Sequence, residues 1–299
     1  MTLDLDTFLT AVYTAVDDLY QTRIRPLLPT RPGPAPLLSD SEVLTLALLA
    51  QWHPFTSERA FLRWADCHLK PYFPHLVSQS RFNRRVRLLT QTLGILFRSS
   101  SALSAPASSP YRVIDATPVP VVKLCRMEGN AFAGQAALAR CASKKEWYFG
   151  FKLMLAVTPE GAITSAALLA ANVEDRRGAA AIFEQEQHPF YLADKGFCSA
   201  AWEQLWLERY GVHVLATPIK RHKRAWPAPY ARAMASRRQI IETVNAALKE
   251  AFKLELHRAR TFSGLMARIS ANLSACMIGQ HLNVLHGRNR LSFATLCAW

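Results

Sequence analysis

Three acidic residues stand in surroundings that do not suit a charge. Asp115 lies inside YRVIDATPVPVV, an apolar, β-branched stretch punctuated by prolines. Asp194 closes FYLAD and is followed by Lys195 and Gly196, and Glu242 lies in the strongly helical run RRQIIETVNAALKEAF. An unpaired carboxylate is costly to bury, so this pattern demands partners. Singly, each acid has an ordinary reading: a strand-end Asp caps a turn, and Glu242 pairs with Arg238 or Lys249 on its own helix. Together, two strand-borne Asp and a helix-borne Glu make a set of hard oxygen ligands suited to Mg²⁺ or Mn²⁺. Two carboxylates about 4 Å apart repel by roughly 4 kcal/mol at an effective dielectric near 20, so their convergence favours bound cations. A pair of ions about 3.5–4 Å apart activates a water or a 3′-hydroxyl and stabilises the leaving oxygen of a phosphodiester.

The elements around these acids read as a mixed α/β domain. In YRVIDATPVPV, Tyr111, Val113 and Asp115 alternate to one face of a strand, with Arg112 and Ile114 on the other. Pro118 and Pro120 remove two backbone donors, which suits an edge strand or an irregular exit. WYFGFKLMLAVTP reads as a second strand, Gly161 as a turn, and AITSAALLAANV as a third strand with a helix as the alternative. Residues 175–187 read as helical, FYLAD and VHVLATP as short strands, and AAWEQLWLERYG as a helix closed by its glycine. Along the Glu242 helix, Ile241, Val244, Leu248 and Ala251 form an apolar stripe, while Arg238, Glu242, Asn245 and Lys249 form a polar one. Glu242 can therefore point at a site while the opposite side packs on the sheet. Asn172 and Asp175, near the end of the third strand, are candidates for supporting that site.

The first hundred residues read as helical. LSDSEVLTLALLA places Ser39 and Glu42 at capping-box spacing before an apolar run. SQSRFNRRVRLLTQTLGILF reads as one amphipathic helix, with Phe82, Val86, Leu89 and Leu93 on one face and Arg81, Arg84 and Arg85 on another. Such a helix suits DNA binding of the helix-turn-helix kind, and equally a bundle with a solvated basic face. SSSALSAPASSP, residues 99–110, reads as a linker, which divides the chain into a helical region 1–105 and a catalytic region 106–299.

Composition narrows the partners. Lys and Arg total 36 against 22 Asp and Glu, a net charge of +14, which suggests nucleic acid first and an anionic membrane surface second. Lys144, Lys145, Lys195 and the RHKR run, with Arg221, Lys223 and Arg224, extend the candidate phosphate contacts, although RHKR also fits a solvated loop. Trp226 either stacks on a base or simply packs. The six cysteines lack C-x-x-C spacing, against a zinc ribbon and in favour of buried reduced thiols. MTLDLDTFLT lacks the features of a signal peptide. The uncharged run Ile269–Gly287 carries Asn272, Gln280, His281, Asn283 and His286, too polar for a membrane span and suited to a buried helix.

At this point the residues resemble a known family: the DDE transposases of bacterial insertion sequences. The likeness rests on D-A-T-P-V-P-V at 115–121, A-D-K-G-F at 193–197, and R-x3-E-x6-K formed by Arg238, Glu242 and Lys249. SKKEWYFGFKL at 143–153, LAANVEDRRGA at 169–179 and, near the N-terminus, LSDSEVLTLALLA and SRFNRRVR extend it over nearly the whole chain. Asp194 follows Asp115 by 79 residues, and Glu242 follows Asp194 by 48. The resemblance implies a ribonuclease H-like mixed-sheet catalytic domain behind a helical N-terminal DNA-binding domain. Asp115 would sit on the first strand, Asp194 after the fourth and Glu242 on a helix after the fifth, together holding two Mg²⁺ or Mn²⁺ ions. Arg238 and Lys249 would contact phosphates near the cleaved bond. The implied activity is strand cleavage at the element's ends and strand transfer into target DNA, without a covalent protein–DNA intermediate. Its partners would be double-stranded DNA, both terminal inverted repeats and target, and a second copy of the chain once assembled on DNA ends. The expected location is the bacterial cytoplasm, at the nucleoid, with no membrane partner. Related enzymes often have Tyr three residues before the motif Arg, where this chain has Ala235. The alternative is a catalytically inactive DNA-binding relative. A phosphotransferase of the haloacid-dehalogenase kind would need Asp where Thr117 stands, and no serine-recombinase motif is present.

Overall fold

A computed structural model gives the fold and describes residues 2–29, 32–52, 54–105, 108–141, 145–218 and 226–299. Five helices come first: α1 (Leu5–Leu19), α2 (Asp40–Leu49), α3 (Glu58–His68), α4 (Gln79–Leu88) and α5 (Thr90–Ser104). The strands β1 (Arg112–Val122), β2 (Ala137–Cys141), β3 (Glu146–Val157) and β4 (Ile163–Ala170) follow, then the one-turn helices α6 (Asp175–Gly178) and α7 (Ala180–Phe183). The order continues with β5 (Phe190–Ala193), α8 (Ala200–Tyr210), β6 (His213–Ala216), α9 (Ala228–Glu250) and α10 (Phe262–Leu285). The chain divides into two compact units, Ala105–Ala246 and Met1–Ser104 with Ala247–Trp299. The division near residue 105 thus falls at the expected linker, but the last part of the chain belongs with the N-terminal helices rather than with the catalytic region 106–299.

That membership follows from α10. Its long uncharged run is apolar on every side, so it must be covered all round, and α5 covers much of it. The small residues at the end of α5 permit the close approach. Ser104 Oγ donates to Met277 O at 3.1 Å, and Ser274 Oγ on α10 donates to Leu93 O at 3.4 Å. Helix α5 therefore continues through Ser104, and the expected linker over 99–110 shrinks to the few residues after it. The expected single Arg-rich helix is likewise two, α4 and α5, with a break at Leu89. Asn272, Gln280 and Asn283 are buried in α10; Asn272 Nδ2 donates to Gln51 Oε1 at 3.2 Å and Asn283 Nδ2 to Arg290 O at 3.0 Å. No helix among the described residues is long and apolar enough to cross a membrane. At the start of α2 both halves of the Ser39–Glu42 capping box form. Cys141, Cys276 and Cys297 are buried free thiols, whereas Cys67 and Cys125 are exposed.

The sheet unit is built on β1. It pairs antiparallel with β3, which pairs antiparallel with β4, and on its other side β1 pairs parallel with β5, which pairs parallel with β6. The result is a mixed α/β sheet of antiparallel strands continued by parallel ones. Strand β2 pairs with the opening of β3, Ala137 opposite Gly150 through Cys141 opposite Glu146, along the edge that β4 takes up further on. Nothing in ALARC advertises a strand; the unpaired edge of β3 recruits it. Because of this extra strand, Asp194 follows the fifth strand and Glu242 the sixth, each one later than the resemblance implies. Gly150 permits the crowded exit of β1: a Cβ there would lie 2.3 Å from Val119 O and 3.0 Å from Pro120 Cα.

Candidate active site

Asp115 is positioned by the end of a strand pairing. The β1–β5 ladder consists of Arg112 opposite Tyr191 and Val113 opposite Leu192, an offset of 79 residues. The same offset separates Asp115 from Asp194, so carrying the register two positions further sets these acids level on neighbouring strands, on one face of the pleat. Beyond Val113 only β3 pairs with β1, which is where a strand tolerates Pro118 and Pro120. Ile114, fully buried, anchors the opposite face in a core with Phe183, Tyr191 and Trp206.

Asp115 is only partly exposed, and burial pushes its carboxyl up to about 6 from an ordinary value of 3.8. A hydrogen bond from the Ala116 backbone N–H and the charge of Arg238 oppose the rise, while the charges of Asp175 and Asp194 add to it. The two sequence-predicted Asp residues therefore feel one another in the fold, and Asp175 joins them.

Asp175 opens α6, and Lys152 of β3 donates to its Oδ1 at 2.7 Å. Helix α6 is pressed against the sheet because its last residue is glycine: a Cβ on Gly178 would meet Leu169 Cδ1 at 2.5 Å and Met154 Cε at 3.0 Å. It also touches the short 3-10 turn Lys195–Phe197 that follows Asp194. Sequence reasoning missed Lys152. Its signal was the one that exposed Asp115, a lone charge in an apolar strand, FKLMLAV.

Helix α9 brings the cation. Arg238 Nη1 lies 3.3 Å from Asp194 Oδ1, with Asp194 at 44% and Arg238 at 13% side-chain exposure. Glu242 is exposed one turn further along α9, on the face that reaches Asp194. The other face buries Ile241, Val244 and Leu248 completely. Arg238 Nε, Asn245 Oδ1 and Thr117 Oγ1 are buried without hydrogen-bond partners, and such atoms demand an explanation.

Among the described residues, no group of three or more His, Cys, Asp or Glu side chains is gathered closely enough to hold a metal ion. The donor chemistry nevertheless fits a hard divalent cation. Asp115 and Asp194 are mutually repelling carboxylates with one arginine between them, and Arg238 occupies the cationic role at Asp194.

Residues 108–262 match the family model of the transposase DDE domain, more than half of the chain. The chain belongs to this transposase family. No curated protein and no solved structure matches it. The family assigns transposase function, implies DNA as a partner and generally uses divalent metal ions.

The transposase's other sequence-predicted contacts are unequally available. Arg81 and Arg84 are exposed on α4. Arg85 is committed internally, with Nη2 2.7 Å from Asp40 Oδ1 and Nη1 donating to Leu38 O. Lys145 and Lys195 are exposed, and Lys249 pairs with Glu255 at 3.3 Å. Asn172 is exposed. Trp226 packs edge-on against Tyr230 at 4.9 Å. Lys144, Arg221, Lys223 and Arg224 lie outside the described residues.

Proposed function

We propose that this transposase cleaves DNA strands at the ends of an insertion sequence and transfers them into target DNA, with Asp115, Asp194 and Glu242 holding Mg²⁺ or Mn²⁺. The observation that carries this reading is the shared register of Asp115 and Asp194, with Arg238 reaching Asp194 from the helix that bears Glu242. Three antiparallel strands followed by two parallel ones support a ribonuclease H-like domain, with β2 as an addition. Bound ions would supply Lewis-acid activation of the attacking hydroxyl and neutralise the leaving oxygen.

The protein's residues prepare that chemistry. The carboxyl of Asp115, pushed up to about 6, must lose its proton before it can act as a ligand, so cation affinity rises with pH through that value. Arg238 holds Asp194 in place and has a buried, unpartnered Nε, a donor suited to a phosphate oxygen near the cleaved bond. Lys152 neutralises Asp175 and so limits repulsion of Asp115. Arg81, Arg84, Lys145 and Lys195 contact DNA phosphates, Arg81 and Arg84 from the helical N-terminal region. Lys144, Arg221, Lys223, Arg224 and Lys249 complete the set taken from the sequence. Two copies assemble on paired ends, in the cytoplasm at the nucleoid.

The test is Asp115→Asn, assayed on duplexes carrying the sequence that flanks the coding region. Mn²⁺-dependent cleavage is expected to vanish while DNA binding persists. Cleavage that survives the change rules out the proposed metal site, and a wild-type chain that binds these duplexes but never cleaves them identifies an inactive relative.

A further inference from the structure

We propose that a basic pocket within the helical unit seats a phosphate of the DNA backbone. The cavity encloses about 470 Å³, within the range of small-ligand sites. It lies between the first turn of α3, one face of α4 and the segment leading into α10. Arg59, Arg87, Arg258 and Arg260 line it and are exposed. Among the described residues, none of these four guanidinium groups has a carboxylate partner. The acid in the lining is already neutralised: Glu58 is buried, Arg268 Nη2 lies 2.6 Å from its Oε2, and Asn83 Nδ2 donates to its Oε1 at 3.2 Å. The remaining charge is therefore positive.

Two independent features point the same way. The first is backbone strain. Lys253 and Arg258 hold left-handed conformations, with φ of 56° and 52°, and both line this cavity. Non-glycine residues held so are enriched at ligand clamps. The second is electrostatic crowding. Burial and the nearby charge of Arg258 hold the Lys253 ammonium below its ordinary range, a penalty that a bound anion relieves. The capped N-termini of α3 and α10, at Ser57 and Thr261, also line the pocket and add partial positive charge.

The choice of DNA as the source of the phosphate rests on the transposase reading and on continuity. Arg87 lies on the same helix as the exposed Arg81 and Arg84, three residues from Arg84. A duplex lying on α4 could thus place a backbone phosphate at the pocket's mouth.

The experiment uses the full-length chain carrying Asp115→Asn, so that binding is read without cleavage. Affinity for a fluorescent duplex bearing the flanking sequence is measured by anisotropy across a KCl series. Arg59→Gln with Arg87→Gln should lower the slope of log affinity against log salt by about two, near 0.9 per lost phosphate contact. Arg260→Gln, outside any helix, should lower it by about one. The control pair Arg23→Gln with Arg98→Gln removes equal charge from exposed sites away from the pocket and should leave the slope unchanged. Equal slopes for pocket and control variants overturn the proposal. A thermal shift by inorganic phosphate that the pocket variants abolish, without any change in DNA slope, overturns the DNA assignment in favour of a free phosphate. Cleavage by the Asp115→Asn chain would contradict the catalytic reading and leave this result standing.

Discussion

Neutralising Asp115 should stabilise the sheet unit even as it abolishes activity. The carboxyl titrates near 6 in the fold, against 3.8 in a free chain. This is the reverse of the common carboxylate case. Between those values the folded state holds a proton that the unfolded state has released, so stability falls as pH rises through the interval. The contribution is fully present below 3.8 and is lost above about 6. A gap of roughly two units corresponds to a destabilisation of about 3 kcal/mol at neutral pH. Asp115→Asn keeps the shape, can still accept from the Ala116 N–H, and ends the repulsion by Asp175 and Asp194. In EDTA at pH 7.5 the variant should be more stable than wild type by up to about 3 kcal/mol, and the gap should close as pH falls towards 4. Because the chain has two units, hydrogen exchange at β1 and β5 amides is the appropriate probe rather than a single melting temperature. Mn²⁺ should protect the wild-type strands and not those of the variant. A variant equally or less stable at pH 7.5, or a gap independent of pH, would refute the idea that Asp115 is held at a cost.

Arg238→Gln should push the Asp115 carboxyl higher still, since Arg238 opposes the rise; carboxyl infrared or NMR titration reads the shift, and cleavage should fall. Gly178→Ala should destabilise the sheet unit by about 1–3 kcal/mol, because the new Cβ would run into Leu169 and Met154; urea unfolding checks it. Ser39→Ala removes the cap that accepts from Glu42 N at 3.1 Å and should cost about 1 kcal/mol, read as faster amide exchange at the start of α2.

Much of the catalytic half is legible because its signals are local. A carboxylate in a β-branched run, a strand ending in Asp-Lys-Gly and a helix with opposed stripes each show in a few residues. The spacing of Asp115 and Asp194 holds a further message, since 79 residues is also the offset of the β1–β5 pairing. That equality is invisible until the two strands are known to be parallel neighbours. What the sequence hides is tertiary. Strand β2 exists because β3 offers an edge, not because ALARC favours extension. Helix α5 runs on through serines that read as a linker, because those small side chains fit against α10. Arg85 reads like Arg81 and Arg84, yet Asp40, 45 residues earlier, claims it. Lys152 was overlooked because its partner sits on a different element.

The central claim is that Asp115, Asp194 and Glu242 share bound cations. Electron paramagnetic resonance of Mn²⁺ titrated into the full-length chain with flanking-sequence duplex tests it most directly. Wild type should bind Mn²⁺ at the site and cleave, whereas Asp115→Asn, Asp194→Asn and Glu242→Gln should each lose that signal and the cleavage while retaining the duplex. Undiminished Mn²⁺ binding and cleavage in any one of the three variants would contradict the account.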